Sequence, residues 1–420
     1  MTRGDTFHPD RRPLQQENAL QIRNEQVNGP FKTLNPTRAV FNHEKSSDEN
    51  KNSIASQNQS AHQNTQEHHS PGSLEFHWAS RNNRKGRHQL KIRGPQSALP
   101  GSGVPRPTTH WREICKGIGR IVTRYPVWDI SWLVAYLFTW GSIIWVINGF
   151  FVFLPILRQA TEFQNEVLVG GGITAFIGAT IFEVGSILLI LESYNENRTG
   201  CFGWAVEHAL DEHGHEVGSV PKILPNNCTH HHLNRKNLVG KGVEDHEKHN
   251  GKESSSSPNN NRKSWVWYPS WEDLRTHYMY EIGFLASLSQ LIGATIFWIS
   301  GFTALPGILD HLSLGLEDGI YWTPQVIGGT GFIVSGTLFM AETQTAWYKP
   351  ALGTLGWHIG FWNTIGGIGF TLTPAFGYDP SSWSQFQASC STFWGSFAFL
   401  IGSVIQLYES LEKNPVAVSA

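Results

Sequence analysis

"GATIFEVGSILLILE" occupies residues 178–192, "GGTGFIVSGTLFMAE" residues 328–342 and "GSFAFLIGSVIQLYE" residues 395–409. Aligned on their first residue, the three share a glycine, an aromatic four positions on, two small residues at positions seven and eight, and a glutamate at fourteen. The seam comprises Gly178, Phe182, Gly185 and Glu192, then Gly328, Phe332, Gly336 and Glu342, then Gly395, Phe399, Gly402 and Glu409, with Ser186, Ser335 and Ser403 as the other small residues. At 3.6 residues per helical turn, offsets of 4, 7 and 14 return to within about 40° of one direction, so the seam lies on one helix face. Small residues on such a face let helix backbones approach closely in lipid, and an aromatic between them fills the groove. Its first reading is therefore packing.

Working outward, each copy sits in an apolar run long enough to cross a bilayer. Six such runs are expected as spans, at roughly 130–155, 168–191, 281–304, 322–342, 355–375 and 390–409, each about 20 residues or more. A backbone crossing lipid must satisfy its own hydrogen bonds, so the fold class is all-α: a polytopic membrane bundle of six helices. The odd-numbered spans carry a weaker seam, Gly141-x3-Trp145, Gly293-x3-Phe297 and Gly366-x3-Phe370, each followed by a proline at 155, 306 or 374. The repeating unit is then a two-helix hairpin present three times, and three hairpins suggest a pseudo-threefold bundle.

Arg112, Lys116, Arg120 and Arg124 crowd the approach to the first span, and Lys349 and Lys413 fall on the same side. The loops near 305–321 and 376–389 contain no Lys or Arg. This asymmetry places both termini and the 193–280 loop in the cytosol. Residues 1–110 are rich in Asn, Gln, His, Ser and Pro and are expected to form a disordered cytosolic tail. Further expectations are a basic approach helix and first hairpin (111–192), a His-rich and Ser/Asn-rich loop (193–269), an interfacial helix and second hairpin (270–343), a third hairpin (344–410) and a short tail (411–420). In "PSWEDLRTHYMY", Ser270 and Asp273 stand in capping register at the start of the interfacial helix.

With 32 Lys and Arg against 34 Asp and Glu, the formal net charge is −2, which gives nucleic acid no electrostatic footing as a partner. Four scattered cysteines without CxxC spacing speak against a zinc module or a disulfide framework. Expected partners are the lipid bilayer and a cytosolic protein held by the tail or the 193–269 loop.

Glu192, Glu342 and Glu409 fall at helix C-termini, where the helix dipole disfavours a carboxylate, so they need positive partners. Arg120, Arg124, Arg275 and Lys349 lie at that level; a cation held by the converging carboxylates is the alternative. Glu183 differs, because it lies near the bilayer centre, about 140° from the seam, where an ionisable group is either a buried, protonated structural residue or one that handles a proton or cation. Asn148, Gln290, Asn363 and His358 are the intramembrane polar groups expected to meet it. In the loop, His208, His213, His215, His230, His231 and His232 are candidate ligands for a divalent metal, the only cofactor the sequence suggests. Their spacing is loose, and a solvated loop accounts for it equally.

"GFLASLSQLIGATIFWISGFTALPGI", "PQVIGGTGFIVSGTLFMAETQ", "LGWHIGFWNTIGGIGF" and "CTHHHLNRKNLVGKG" resemble a group of uncharacterised multi-pass integral membrane proteins of filamentous fungi, over about residues 110–415. The two-helix unit is also similar to the YrhK-like bacterial membrane domain. These resemblances imply a membrane fold and carry no catalytic residues over. No span offers paired haem ligands or a nucleophile beside a base, so an enzyme is not expected. A non-enzymatic membrane scaffold or regulatory protein is the leading expectation, and a proton- or cation-linked small-solute transporter using Glu183 is the alternative.

Overall fold

The computed structural model describes residues 20–22, 27–43, 73–87, 89–93, 107–196, 198–203, 205–206 and 265–419. Six long helices dominate it: α3 (Ile130–Leu157), α4 (Gly172–Tyr194), α6 (Ile282–Thr303), α7 (Thr323–Glu342), α8 (Leu355–Gly377) and α9 (Ser382–Leu411). Five helical segments are long and apolar enough to cross a membrane: Ile130–Leu157, Glu166–Tyr194, Ile282–Thr303, Leu314–Glu342 and Ser382–Leu411. The expected fifth span falls on α8, which has 23 residues but is not among these five, its apolar face being diluted by His358, Asn363 and several glycines.

Each long helix packs against the helices before and after it, and α9 closes back on α3, so the six form a ring. The outward faces are apolar: Ile177, Val184, Ile187, Ile292, Val334 and Ile401 are all exposed. The inward faces hold small hydroxyl residues. Ser142, Ser186, Ser287 and Ser396 are buried and donate to the carbonyl four residues back, at 2.6–2.8 Å, so their polarity is absorbed within their own helices. An apolar outside around an interior of aromatic and small hydroxyl side chains is an arrangement suited to lipid.

Two shorter helices lie beside the ring. In α5 (Trp271–Thr276) the Ser270 hydroxyl accepts from the Asp273 amide at 3.1 Å, which is the cap read from sequence. In α2 (Trp111–Thr123) the exposed Trp111, Ile114, Ile118 and Val122 recur at helical spacing on one face, with Arg112 and Lys116 among them in sequence, a pattern suited to a bilayer surface.

The described part of the tail expected to be disordered carries structure. Strands β1 (Leu20–Ile22), β2 (Arg38–His43), β3 (Ser73–Ala79) and β4 (Leu90–Arg93) form an antiparallel sheet in that order, and β5 (Val416–Ser419), at the other end of the chain, adds parallel to β4. Between β3 and β4 lies one turn of helix, α1 (Ser80–Arg84). A polar composition cannot bury an apolar core of its own, but backbone pairing and ionic contacts with another part of the chain supply what local sequence lacks. Residues 1–19, 23–26, 44–72, 88 and 94–106 lie outside the described residues.

Candidate functional site

The aromatics of the seam meet on the ring axis. Phe182, Phe332 and Phe399 lie with ring centroids 5.6–6.3 Å apart, pairwise and near edge-to-face. Trp145, Phe297 and Phe370 from the odd-numbered spans form a second triangle, 4.8–5.7 Å apart. The two triangles touch through Phe297 and Phe332 at 5.7 Å and through Phe370 and Phe399 at 5.2 Å. All six rings are buried, and edge-to-face pairs contribute about 0.5–1.5 kcal/mol each beyond burial.

Glycines make the fit possible. A Cβ on Gly141 would stand 2.6 Å from Phe182, one on Gly366 2.7 Å from Phe399, and one on Gly328 2.7 Å from Phe297. The aromatic of one helix thus lies over the glycine of its hairpin partner. Between α6 and α7 the backbones themselves meet, since a Cβ on Gly331 would be 2.7 Å from the Gly293 Cα. The Gly-x3-aromatic spacing is a reciprocal lock, and the axis is filled by rings rather than lined by glycines.

The six rings divide the interior. On the side of the α3 C-terminus is a cavity of about 470 Å³, lined mainly by apolar atoms with Asn148, Gln325 and Thr392 among its polar groups and with Trp145, Phe297 and Phe370 as its floor. Two π-helical turns, Glu166–Gly171 and Asp318–Trp322, border it at the entries to α4 and α7. On the other side is a void of about 30 Å³, room for about one water, bounded by Phe182, Phe399, Gln290, Asn363 and Gln406 and closed by Arg81, Arg84 and Lys85.

Those three cations belong to the segment after β3, and they cap the ring at the end where Glu192, Glu342 and Glu409 converge. Arg81 grips Glu409 through two nitrogens, Nη2 to Oε2 at 2.7 Å and Nε to Oε1 at 3.3 Å. Arg87 adds a third bond to the same carboxylate at 3.0 Å. Arg84 spans two corners, 2.6 Å to Glu342 and 3.4 Å to Glu192, with its guanidinium 5.1 Å above the Phe339 ring centroid. Lys85 Nζ stands 3.7 Å from Glu192, too far to donate a hydrogen bond. Ser80 Oγ donates to Glu342 at 3.1 Å. Every charged side chain in this layer is at least nine-tenths buried, so removing one partner of a hydrogen-bonded guanidinium–carboxylate pair strands the other in a low dielectric at a cost of about 3–5 kcal/mol.

The cluster is favourable for reasons beyond pairing. The glutamates lie at the C-terminal ends of α4, α7 and α9, whose carbonyl dipoles disfavour them and favour the four cations of the cap. Burial draws Lys85 down to about 8, against the opposing pull of Glu192. Lys85 is thus the least satisfied cation, and Glu192 the loosest corner.

Local sequence shapes the cap. After Arg84 the chain must turn at once to bring Arg87 back to Glu409, and Gly86, at φ +59°, makes that turn. The Gly86 amide donates to the Asn83 carbonyl at 3.1 Å and the Arg87 amide to Asn82 at 2.8 Å, a closed helix C-terminus that needs a residue without a Cβ. Neighbouring segments hold the cap down. The Asn35 amide donates to Tyr280 at 2.8 Å, Arg38 donates to the Thr343 carbonyl, and Lys413 bridges the Lys85 carbonyl at 2.9 Å and Asp129 at 2.7 Å.

Sequence reasoning thus found the glutamates and missed their partners. Arg120 pairs with Glu412 at 2.8 Å, and none of Arg124, Arg275 and Lys349 pairs with the three seam glutamates among the described residues. The positive charge between the carboxylates is the chain's own, delivered by "SRNNRKGR" at 80–87. The available signal was four cations in seven residues inside an otherwise Asn/Gln-rich tail, with a glycine before the last of them.

Glu183 lies apart from this cluster, at the α4–α6 contact. Its Oε1 accepts from Thr295 Oγ at 2.9 Å, and Oε2 is buried without a partner among the described residues. None of the four polar groups expected there reaches it: Asn148 donates to the Gly171 carbonyl at 2.6 Å and His358 contacts the Leu352 carbonyl at 2.8 Å, while Gln290 and Asn363 face the small axial void. Offset by 140° from an inward seam, Glu183 faces a neighbouring helix and not the axis. The candidate metal ligands His208, His213, His215, His230, His231 and His232 lie outside the described residues.

No protein-family model, no curated protein and no solved structure matches this chain.

Proposed function

We propose that this chain is a six-pass, non-enzymatic integral membrane scaffold or regulatory protein built from three hairpin repeats, with α8 as the sixth span and the charged end of the ring in the cytosol. The observation that carries this reading is the basic segment 81–87 seated on Glu192, Glu342 and Glu409, which closes the ring below an axis already filled by six aromatic rings. Two closures in series suit a platform better than a conduit. An aromatic lying over a glycine of the adjacent helix in each hairpin, Phe182 over Gly141, Phe297 over Gly328 and Phe399 over Gly366, supports three hairpins of common design, and the Lys and Arg asymmetry supports the orientation. The cap and the sheet it belongs to offer a surface for a cytosolic protein partner, and the 193–269 segment is the other part of the chain assigned to that partner.

The test is flux through proteoliposomes of the purified full chain, with an internal pH dye and a panel of mono- and divalent cations. The scaffold reading expects no flux from wild type or from Glu183→Gln. Flux in wild type that disappears in Glu183→Gln would replace it with the transporter reading, which the 470 Å³ cavity favours by offering a solute a place to enter from the opposite side. Glycosylation at Asn227, within an N-x-Thr sequon of the 193–269 loop, would reverse the orientation.

A further inference from the structure

We infer that Glu196, His277 and Glu281 form a binding site for one first-row divalent cation, at the rim of the ring beside the cap. The three come from two distant stretches, the turn that leaves α4 and the turn that enters α6, yet one ligand atom of each lies within 4.8 Å of the others. His277 Nε2 is 3.3 Å from a Glu281 oxygen. One imidazole nitrogen and two carboxylate oxygens, with positions left for water, match the preferences of zinc, manganese or iron rather than of the all-oxygen sites that calcium and magnesium take.

Two observations distinguish this group from an ordinary acidic patch. First, its side chains are only partly exposed, and two carboxylates this close repel each other unless a proton or a cation lies between them. Arg84 of the cap makes its ion pairs to Glu192 and Glu342. Second, two of the three ligands are held from behind by amides. Asn83 donates to Glu196 Oε2 at 2.6 Å, leaving Oε1 for an ion, and the Asn35 side-chain amide lies 3.5 Å from His277 Nδ1, leaving Nε2 toward Glu281. With the amide oxygen turned toward an Nδ1–H, at the loss of the 3.4 Å bond that the Asn35 amide donates to the His277 carbonyl, the Nε2 lone pair would face the ion. Ligands oriented by outer hydrogen bonds in this way are a regular property of metal sites. Since Asn83 lies in α1 and Asn35 precedes β2, a cation here would tie the cap segment to α4 and α6. This site does not depend on the scaffold reading.

The test is Mn2+ binding to the purified full chain at pH 7.5, by the loss of free-ion EPR signal, with Zn2+ titration calorimetry alongside. Both use a parent in which the six loop histidines, 208, 213, 215, 230, 231 and 232, are changed to serine. The expected result is one equivalent in the parent that is lost in Glu281→Gln and in His277→Gln, and an affinity at least about tenfold weaker in Asn83→Ala. If Glu281→Gln does not fold, Glu196→Gln decides, read in the same way against a monodisperse parent. No binding in the parent, or an unchanged equivalent in folded Glu281→Gln or Glu196→Gln, would overturn the proposal and leave the pair of glutamates sharing a proton instead.

Discussion

The aromatic layers and the charged layer lie on the same axis, a few turns apart along the same helices, and are completed in opposite ways. Phe182 and Phe399 each lie over a glycine of the adjacent helix, Gly141 and Gly366, and Phe332 packs on Phe297 of the helix before it at 5.7 Å. Glu192, Glu342 and Glu409 recur with the same spacing, yet among the described residues their ion-pair partners come from a segment more than a hundred residues earlier than the nearest of them. Apolar packing is satisfied by whatever shape lies adjacent, whereas a buried carboxylate requires a cation, and the seam helices carry none.

Backbone contact gives the largest expected effect. Gly293→Leu would drive a side chain into the α7 backbone, where Gly331 leaves no room, and should abolish the monodisperse, folded protein in detergent. Recovery of normal yield and melting temperature would show that the hairpins are held by something other than this close approach.

Arg84→Ala comes next. It strands Glu342 and weakens Glu192, and should lower stability by about 3–5 kcal/mol and make "SRNNRKGR" accessible to limited trypsin digestion at Arg81 and Lys85. Unchanged protection of this segment would mean that the charged layer is not what seats the cap. Replacing Arg84 together with Glu342 by apolar residues of similar size should cost less than either alone, the outcome expected when the penalty comes from an unpaired buried charge.

Lys85 sharpens the comparison through pH. Its folded value of about 8 lies below the 10.5 of an exposed lysine, so the unfolded chain binds more protons between them. Stability attributable to this group therefore rises with pH across that window, by on the order of 1 kcal/mol per unit crossed. Lys85→Met should melt within about 1 kcal/mol of wild type at pH 7, and the difference between the two should shift in favour of wild type from pH 8 to pH 10. An unfolding midpoint that falls more steeply in wild type than in the variant over this range would contradict the sign.

Glu183→Gln should have the smallest effect, because glutamine retains an oxygen to accept from Thr295, and melting should move by less than about 1 kcal/mol. A loss of several kcal/mol would place Glu183 in a network that the Thr295 contact alone does not account for.

Periodicity was enough to read the helical class, the seam and the inward face of α4, α7 and α9, because a fixed small-aromatic-small spacing in an apolar run has one geometric consequence in lipid. It also placed the glutamates at helix ends in need of cations. The His358 and Asn363 assignments failed because a single strand of sequence does not say which helices are neighbours. Ring order decides that, and it turned Asn363 to the axial void and Glu183 to α6.

What the sequence determined by itself, then, is a set of long apolar helices with a recurring glycine-aromatic face and three carboxylates without local partners. Only the tertiary structure decided that these helices close into a ring, that six aromatic side chains fill its axis, and that a polar tail folds back to cap it. The physical reason is range. Helix formation and small-residue packing are fixed by neighbours three, four and seven positions away, whereas the cations that neutralise Glu192, Glu342 and Glu409 are brought to them by a sheet joining the two ends of the chain.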